Sequence, residues 1–497
     1  MKVAVVGSGA SAISAITALL ESNIPMSITV YDVGVEIGSP TKASHQENLL
    51  KDYDQIYEVI GRNLPRKFPP PKTHFGEAIE RISLTDGESI YWNGYLGGLT
   101  NFWGGSMLPF TDRELSGWPL TRKILEPYYK RIAKLVGIAG QKDSLNDYLG
   151  EDYSNKPPIS ALEVLSRLDG ISTFFDPGAC TCYFGVNRCA LETRPGLTRS
   201  CTYCGECMAG CLVGSLFNAS DLLKEYRERG SIRYIKGRVR RLDDKTRDVE
   251  VEINGQIETH SGFSKVFLCG GCFGTTEILM RSFQITSSVR VADNAVLTVP
   301  LINIGTIDPE FEGDYFGLTN ELGLIVPETF SDPVVQVQIY PNVDYLWSFN
   351  LSLPFWNKVR PVVQALRQRI FWGRIYLHSD LSQKYQLSLV QDRLEIKRRA
   401  PNHSSKQFSS NLKKVRTIFR RQKILTPILF QIREKTNSHY GGSFPFCAQP
   451  LSISSTGEVA NQIYVCDSTT FPSMPAISPT FTIMANSYRI AWEAING

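Results

Sequence analysis

Val3-Ala4-Val5-Val6-Gly7-Ser8-Gly9-Ala10-Ser11-Ala12 stands at the head of the chain, and its reading decides the fold. Residues 3–6 are a continuous apolar run, the pattern of a strand buried on both faces. A GxGxxA loop follows at once, and residues 12–20 read as a helix with Ile13, Ile16, Leu19 and Leu20 on one face. Gly7 permits the tight turn, Gly9 lets backbone approach a pyrophosphate, and small Ala12 allows close helix–strand packing. The helix N-terminus, at Ala10 and Ser11, offers N–H donors and a favourable dipole to that anion. About twenty residues further on, Ile28-Thr29-Val30-Tyr31-Asp32 reads as a second strand ending in an acid, as the fingerprint requires. Asp32 would accept from ribose hydroxyls, which fits FAD or NAD and disfavours a 2′-phosphate. The pattern does not choose between the two.

A chain of 497 residues is too long for one compact core, so two joined domains are expected. Net charge is +4, far from the footprint of a nucleic-acid binder. No uninterrupted apolar run reaches bilayer length, and the opening apolar run is too short for a signal peptide. The expected compartment is the cytoplasm. Eleven cysteines, an odd number in a reducing compartment, argue against a disulfide framework.

Four further stretches carry the cofactor question. They are Gly97-Gly98-Leu99-Thr100-Asn101-Phe102-Trp103-Gly104-Gly105, Leu268 to Leu279 (LCGGCFGTTEIL), His439-Tyr440-Gly441-Gly442, and Asp467 to Ala485 with Ser478-Pro479-Thr480 inside it. In these stretches the sequence resembles the glucose–methanol–choline (GMC) family of FAD-dependent oxidoreductases, in family order and across nearly the whole chain. The resemblance implies an α/β fold: a discontinuous Rossmann-type FAD domain with a mostly antiparallel β-sheet substrate domain. The expected parts are 1–285 for the FAD domain, including a Cys-rich segment at 176–215, then 286–436 for the substrate domain. Residues 437–497 return to the FAD domain.

The resemblance also distributes roles. Asn101, Trp103, Gly104 and Gly105 fall beside the isoalloxazine, where two glycines leave room for a planar ring; Trp103 is equally readable as a core aromatic. Asp467, Pro479 and Thr480 fall in the segment that contacts the ribityl chain, and Val239 takes the backbone contact to adenine. His439 occupies the catalytic position, as the base for a hydroxyl proton while hydride leaves for the flavin. The other five histidines (His45, His74, His260, His378, His403) lack that context. One position departs from the family: Ser478 stands where His or Asn is usual, and serine is shorter and less polarising. Either the substrate oxygen sits deeper, another group helps, or the chemistry is altered. The expected partners are an alcohol, sugar-like in one reading, and an electron acceptor: oxygen, a quinone or a redox protein. The covalent-histidine context is not recognisable, so FAD is expected to be held non-covalently.

Seven cysteines crowd between Cys180 and Cys211, and Cys201-x2-Cys204-x2-Cys207-x3-Cys211 has the spacing of a ferredoxin run, with Leu212 where proline is usual. An iron–sulfur cluster that borrows Cys180, Cys182 or Cys189, a zinc site, and a packed glycine-rich turn all fit this spacing. A cluster would drain electrons from reduced flavin, and with the alcohol site disabled the chain would be an electron-transfer or redox-sensing protein.

The middle of the chain is read more coarsely. Residues 40–75 form a polar connection over the cofactor, and 113–135 and 405–435 are helical. Residues 290–400 are largely strands, with alternation at Val334 to Tyr340. Residues 355–375 are basic and aromatic (Phe355, Trp356, Arg360, Arg367, Arg369, Phe371, Trp372, Arg374). They read as a solvated helix over the substrate sheet in preference to a membrane-surface contact.

Overall fold

The computed structural model describes residues 1–34, 82–84, 94–101, 103–159, 172–175, 178–203, 207, 211, 213–305, 317–342, 358–359, 361–363, 365–366, 368–382, 384–399, 405–427, 432–433 and 438–497. The expected connection at 40–75 lies outside them, as do His45, His74, His403, Phe355, Trp356, Arg360 and Arg367. No helix among the described residues is long and apolar enough to cross a membrane.

The opening run is β1 (Lys2–Val6), followed by α1 (Ala10–Glu21) and β2 (Ser27–Asp32). In β1, Val3, Ala4 and Val5 are fully buried, so this strand lies inside a sheet covered on both faces. Its neighbours are β2 on one side and Lys265–Leu268 on the other, both parallel to it. The six-stranded sheet continues outward to Arg233–Lys236 beyond β2, and to Ile463–Val465 and Glu458–Ala460 beyond Lys265–Leu268. Chain order therefore reverses at β1. In an open α/β sheet the crevice at the carboxyl end of such a strand is where ligands sit. The terminal helix, Thr480–Asn496, packs on α1, and Ser487 donates to the Ser11 carbonyl (2.6 Å).

A second, eight-stranded sheet is antiparallel throughout. Its central strands are Ala295–Asn303, Ile370–Leu377, Val335–Tyr340 and Glu321–Pro327, in that spatial order. Beyond Glu321–Pro327 lie Gly178–Val186 and then, at the edge, Ser172–Phe175, so this piece of the Cys-rich segment lies in the second sheet. One face, carrying Val335, Val337, Ile339, Phe371, Ile375 and Leu377, packs into a core with Val415, Ile418 and Phe419 of the helix Ser405–Arg421. The other face carries Gln336, Gln338, Tyr340, Arg374 and Tyr376, and all five are buried. The alternation read at 334–340 is therefore real, but its polar face meets a cavity instead of solvent.

Three expectations for the middle are corrected. Residues 370–377 are a fully buried strand, not a solvated helix. Their aromatic and branched side chains fill a sheet centre covered on both sides, which outweighs the helical spacing of the basic residues. The helix expected at 113–135 starts at Arg122, where Thr121 accepts from the Ile124 N–H (3.4 Å), because turns occupy the residues before it. The helix expected at 405–435 stops at Arg421, and Ile424–Leu425 joins the edge of the second sheet.

Candidate active site

A cavity of about 260 Å³ runs from the carboxyl end of β1 to the polar face of the second sheet. Three helices begin at its wall: α1, Gly271–Ser282 and Thr480–Asn496. None is capped by its own N-cap side chain, and at the second the Asp467 carboxylate accepts from the Gly271 N–H. Orphan N–H donors and the positive ends of three helix dipoles therefore converge on one space, a natural seat for negative charge.

Gly7, Ser8, Gly9, Ala10 and Ser11 line the first end. Gly7 holds φ +115°, and a Cβ there would lie 2.3 Å from the Cys269 carbonyl oxygen, so no side chain fits. Gly9 faces Gly98 at backbone distance across the loop 97–105. Asp32 also lines this end; its carboxylate accepts from the Gly34 N–H (2.8 Å) and the Ser8 hydroxyl. Enclosure pushes its pKa from 3.8 up to about 7, because desolvation outweighs both bonds. Ala12 is fully buried behind the turn and packs there instead of facing the cavity.

The loop 97–105 forms the middle of the wall. Trp103, Gly104 and Gly105 line the cavity, and a Cβ on Gly104 would meet nothing within 4 Å. The Trp103 indole N–H donates to the Phe217 carbonyl (2.9 Å). Asn101 is placed differently from the expectation. Its amide donates to the Leu96 and Gly98 carbonyls (2.9 and 2.8 Å), while its oxygen accepts from Asn218 (2.8 Å). That side chain ties the loop to itself and is not among the lining residues. Val239 is likewise buried in the small sheet 238–260, away from the lining. Asp467 does line the cavity and accepts from Thr275 (2.6 Å) and the Thr469 N–H (3.0 Å); burial raises its pKa. Pro479 and Thr480 stand beside it at the start of the terminal helix.

His439 and Ser478 both line the far end. The His439 Nδ1 lies 2.6 Å from the Asn294 amide oxygen. The amide nitrogen of Asn294 donates to the carbonyls of Met474 (3.0 Å) and Pro475 (2.5 Å), which turns its oxygen toward the histidine. Nδ1 must then carry the ring proton, and Nε2 is the basic nitrogen. The ring stacks on Tyr376 at 5.6 Å and 22°. Burial first, and the nearby Arg374 charge second, hold its pKa down from 6.5 to about 3, so the ring is neutral at physiological pH. The Ser478 hydroxyl accepts from Gln336 (3.4 Å) and Gln338 (3.3 Å), and its backbone N–H donates to the Gln336 side-chain amide oxygen (3.2 Å). Gln338 in turn accepts from Tyr340 (2.7 Å) and Thr319 (3.3 Å).

Sequence reasoning missed Asn294, Gln338, Tyr376 and Arg374. For Gln338 a signal exists: two glutamines alternating with valines in an otherwise apolar strand. Asn294 carries none, since its partners come from residues 377 and 439–475. His260 and His378 lie outside the cavity, one beside Tyr31 and Glu258, the other capping the turn at Asp380.

The cysteines separate. Cys180 and Cys182 face the core behind the second sheet, with Phe419 and its neighbours, whereas Cys189 packs in a different cluster with Cys201 and Cys207. Cys189 is fully buried near Cys201, Cys207 and Cys211; burial first, and these thiols second, raise its pKa. It also backs the cavity wall, since a Cβ on Gly105 would lie 2.9 Å from its sulfur. Cys211 accepts from the Ser215 N–H (3.1 Å), and Cys201 from the Tyr203 N–H (3.4 Å). Cys204 is outside the described residues. Among those described, no group of three or more His, Cys, Asp or Glu is arranged to hold a metal ion.

No family model matches the chain, and no curated protein matches it. Solved structures do. The chain is similar to pyridoxine 4-oxidase from Mesorbium loti, with a TM-score of 0.59 and 13% identity, over 99% of this chain and 98% of that one. The two share a mixed α/β fold along their full length.

Proposed function

We propose that the chain is an FAD-dependent oxidoreductase acting on CH–OH groups, with residues 1–285 and 437–497 holding the cofactor and 286–436 supplying most of the substrate face. One observation carries this reading: a single cavity joins the dinucleotide turn at one end to a neutral, oriented histidine at the other. The residues present fit an extended dinucleotide. Gly7, Gly9, Ala10 and Ser11 with the α1 amides would hold the pyrophosphate, and Asp32 the ribose. Trp103, Gly104 and Gly105 would flank the ring system, with Asp467, Pro479 and Thr480 along the ribityl chain.

Bound FAD would supply the two-electron acceptor for a hydride. The chain's own part is acid–base and positional. His439 takes the hydroxyl proton at Nε2 while the carbon gives up hydride, and the product is a carbonyl compound. Ser478, braced by Gln336 and Gln338, would hold the substrate oxygen in place of the bulkier side chain the family resemblance leads one to expect. The acceptor that reoxidises the cofactor would be oxygen, a quinone or a redox protein.

The test is the visible absorption of the purified protein, followed by anaerobic reduction with candidate alcohols. A flavin spectrum is expected. His439→Ala should retain the flavin while slowing its reduction by about 10²- to 10⁴-fold. A protein that takes up no FAD on reconstitution sinks the reading, and unchanged reduction in His439→Ala removes this residue from the mechanism.

A further inference from the structure

We propose that the site selects alcohols bearing a carboxylate or phosphate, and that Arg374 is the residue that determines this specificity. The inference rests on the flavin-oxidoreductase reading above and narrows its substrate class.

Arg374 lines the cavity although it is only 3% exposed. Its position is set by register: in the middle of Ile370–Leu377 it lies opposite Gln338 on one neighbouring strand and Thr298 on the other. A strand paired on both sides, with a packed core behind it, gives the stem little freedom to leave. The guanidinium carbon lies 5.2 Å from the Tyr376 ring centroid, and that ring stacks on His439. Arginine, tyrosine and histidine thus form one layer, with the cation at one end and the base at the other.

The charge pattern of the wall has the same direction. Among the described lining residues, the carboxylates Asp32 and Asp467 face the cofactor's part of the cavity, and Arg374 is the cation at the substrate end. Its neighbours reinforce it. The Gln338 oxygen already accepts from Tyr340 and Thr319, and one of its amide N–H groups bonds Ser478, which leaves the second N–H as what Gln338 offers to a ligand. A planar guanidinium beside an amide donor matches the paired oxygens of a carboxylate or phosphate. An anion there would also offset the Arg374 field at His439 and make the imidazole a stronger base once substrate is bound. A neutral alcohol gives no such gain.

The experiment uses the flavin-loaded protein and three matched ligands: glycerol, glycerate and glycerol 3-phosphate. Binding is read by isothermal titration calorimetry, and flavin reduction is followed separately without oxygen. At least one anion should bind tenfold or more tightly than glycerol, and which anion does so separates carboxylate from phosphate. Arg374→Gln should erase that preference, and Arg374→Lys should keep part of it. Equal binding of all three by the wild type, no binding by either anion, or a preference that survives Arg374→Gln overturns the inference. The wild-type comparison stands even if a variant fails to fold. Flavin that no alcohol reduces, while the anion preference holds, counts against the oxidoreductase reading instead.

Discussion

Asp32 shows what one buried residue contributes. Its carboxyl titrates near 7 in the fold and near 3.8 when exposed, so between those values the folded chain holds a proton that the unfolded chain releases. Its contribution to the stability of the empty fold is complete below pH 3.8 and is lost as pH rises through 7. A ribose diol donating to the carboxylate favours the ionised form. FAD binding should therefore release a proton at pH 5–6, and affinity should rise from pH 5 to 8. Calorimetry in buffers of differing ionisation enthalpy measures the proton, and Asp32→Asn should abolish both effects. The residue's position was legible in the sequence because it is local: a strand end about twenty residues after the glycine turn. Arg374 was not legible. Its run of basic and aromatic residues fits a helix as well as a strand, and only pairing on both sides settles which.

At the scale of the element, the helix Ser405–Arg421 was visible from its spacing, but not what it covers. Phe408, Leu412, Val415 and Phe419 repeat at helical intervals, and all four are buried. They form the layer that closes the second sheet from behind, so that its opposite face can be polar and line the cavity. Phe419→Ala should cost about 3–5 kcal/mol of stability, measured by denaturant unfolding. A loss below about 1 kcal/mol would mean that the helix does not seat there. The C-terminal end of this helix and the start of Arg122–Val136 were misplaced: Ile424–Leu425 pairs with the second sheet after the one, and local turns occupy the residues before the other.

At the scale of the whole molecule, the first sheet is assembled from both ends of the chain. Ile463–Val465 pairs in parallel with Lys265–Leu268, and the terminal helix covers α1. A chain ending at residue 437 would expose that strand edge and the apolar face of α1. It should be insoluble when expressed alone, and co-expression with 438–497 should recover flavin binding. A soluble, flavin-loaded 1–437 would refute the shared architecture.

The sequence by itself determined the strand, glycine turn and helix at the head of the chain and the acid that ends β2, because these are short-range patterns set by backbone sterics and helix-end chemistry. Only the tertiary structure decided that Asn294 orients His439 and that Gln336 and Gln338 brace Ser478. It also turned Asn101 inward to its own loop, parted Cys180 and Cys182 from the Cys201–Cys211 run, and placed Arg374 in the cavity. Each of these depends on residues far apart in the chain meeting across a sheet, and strand pairing is a register between segments that neither segment encodes alone.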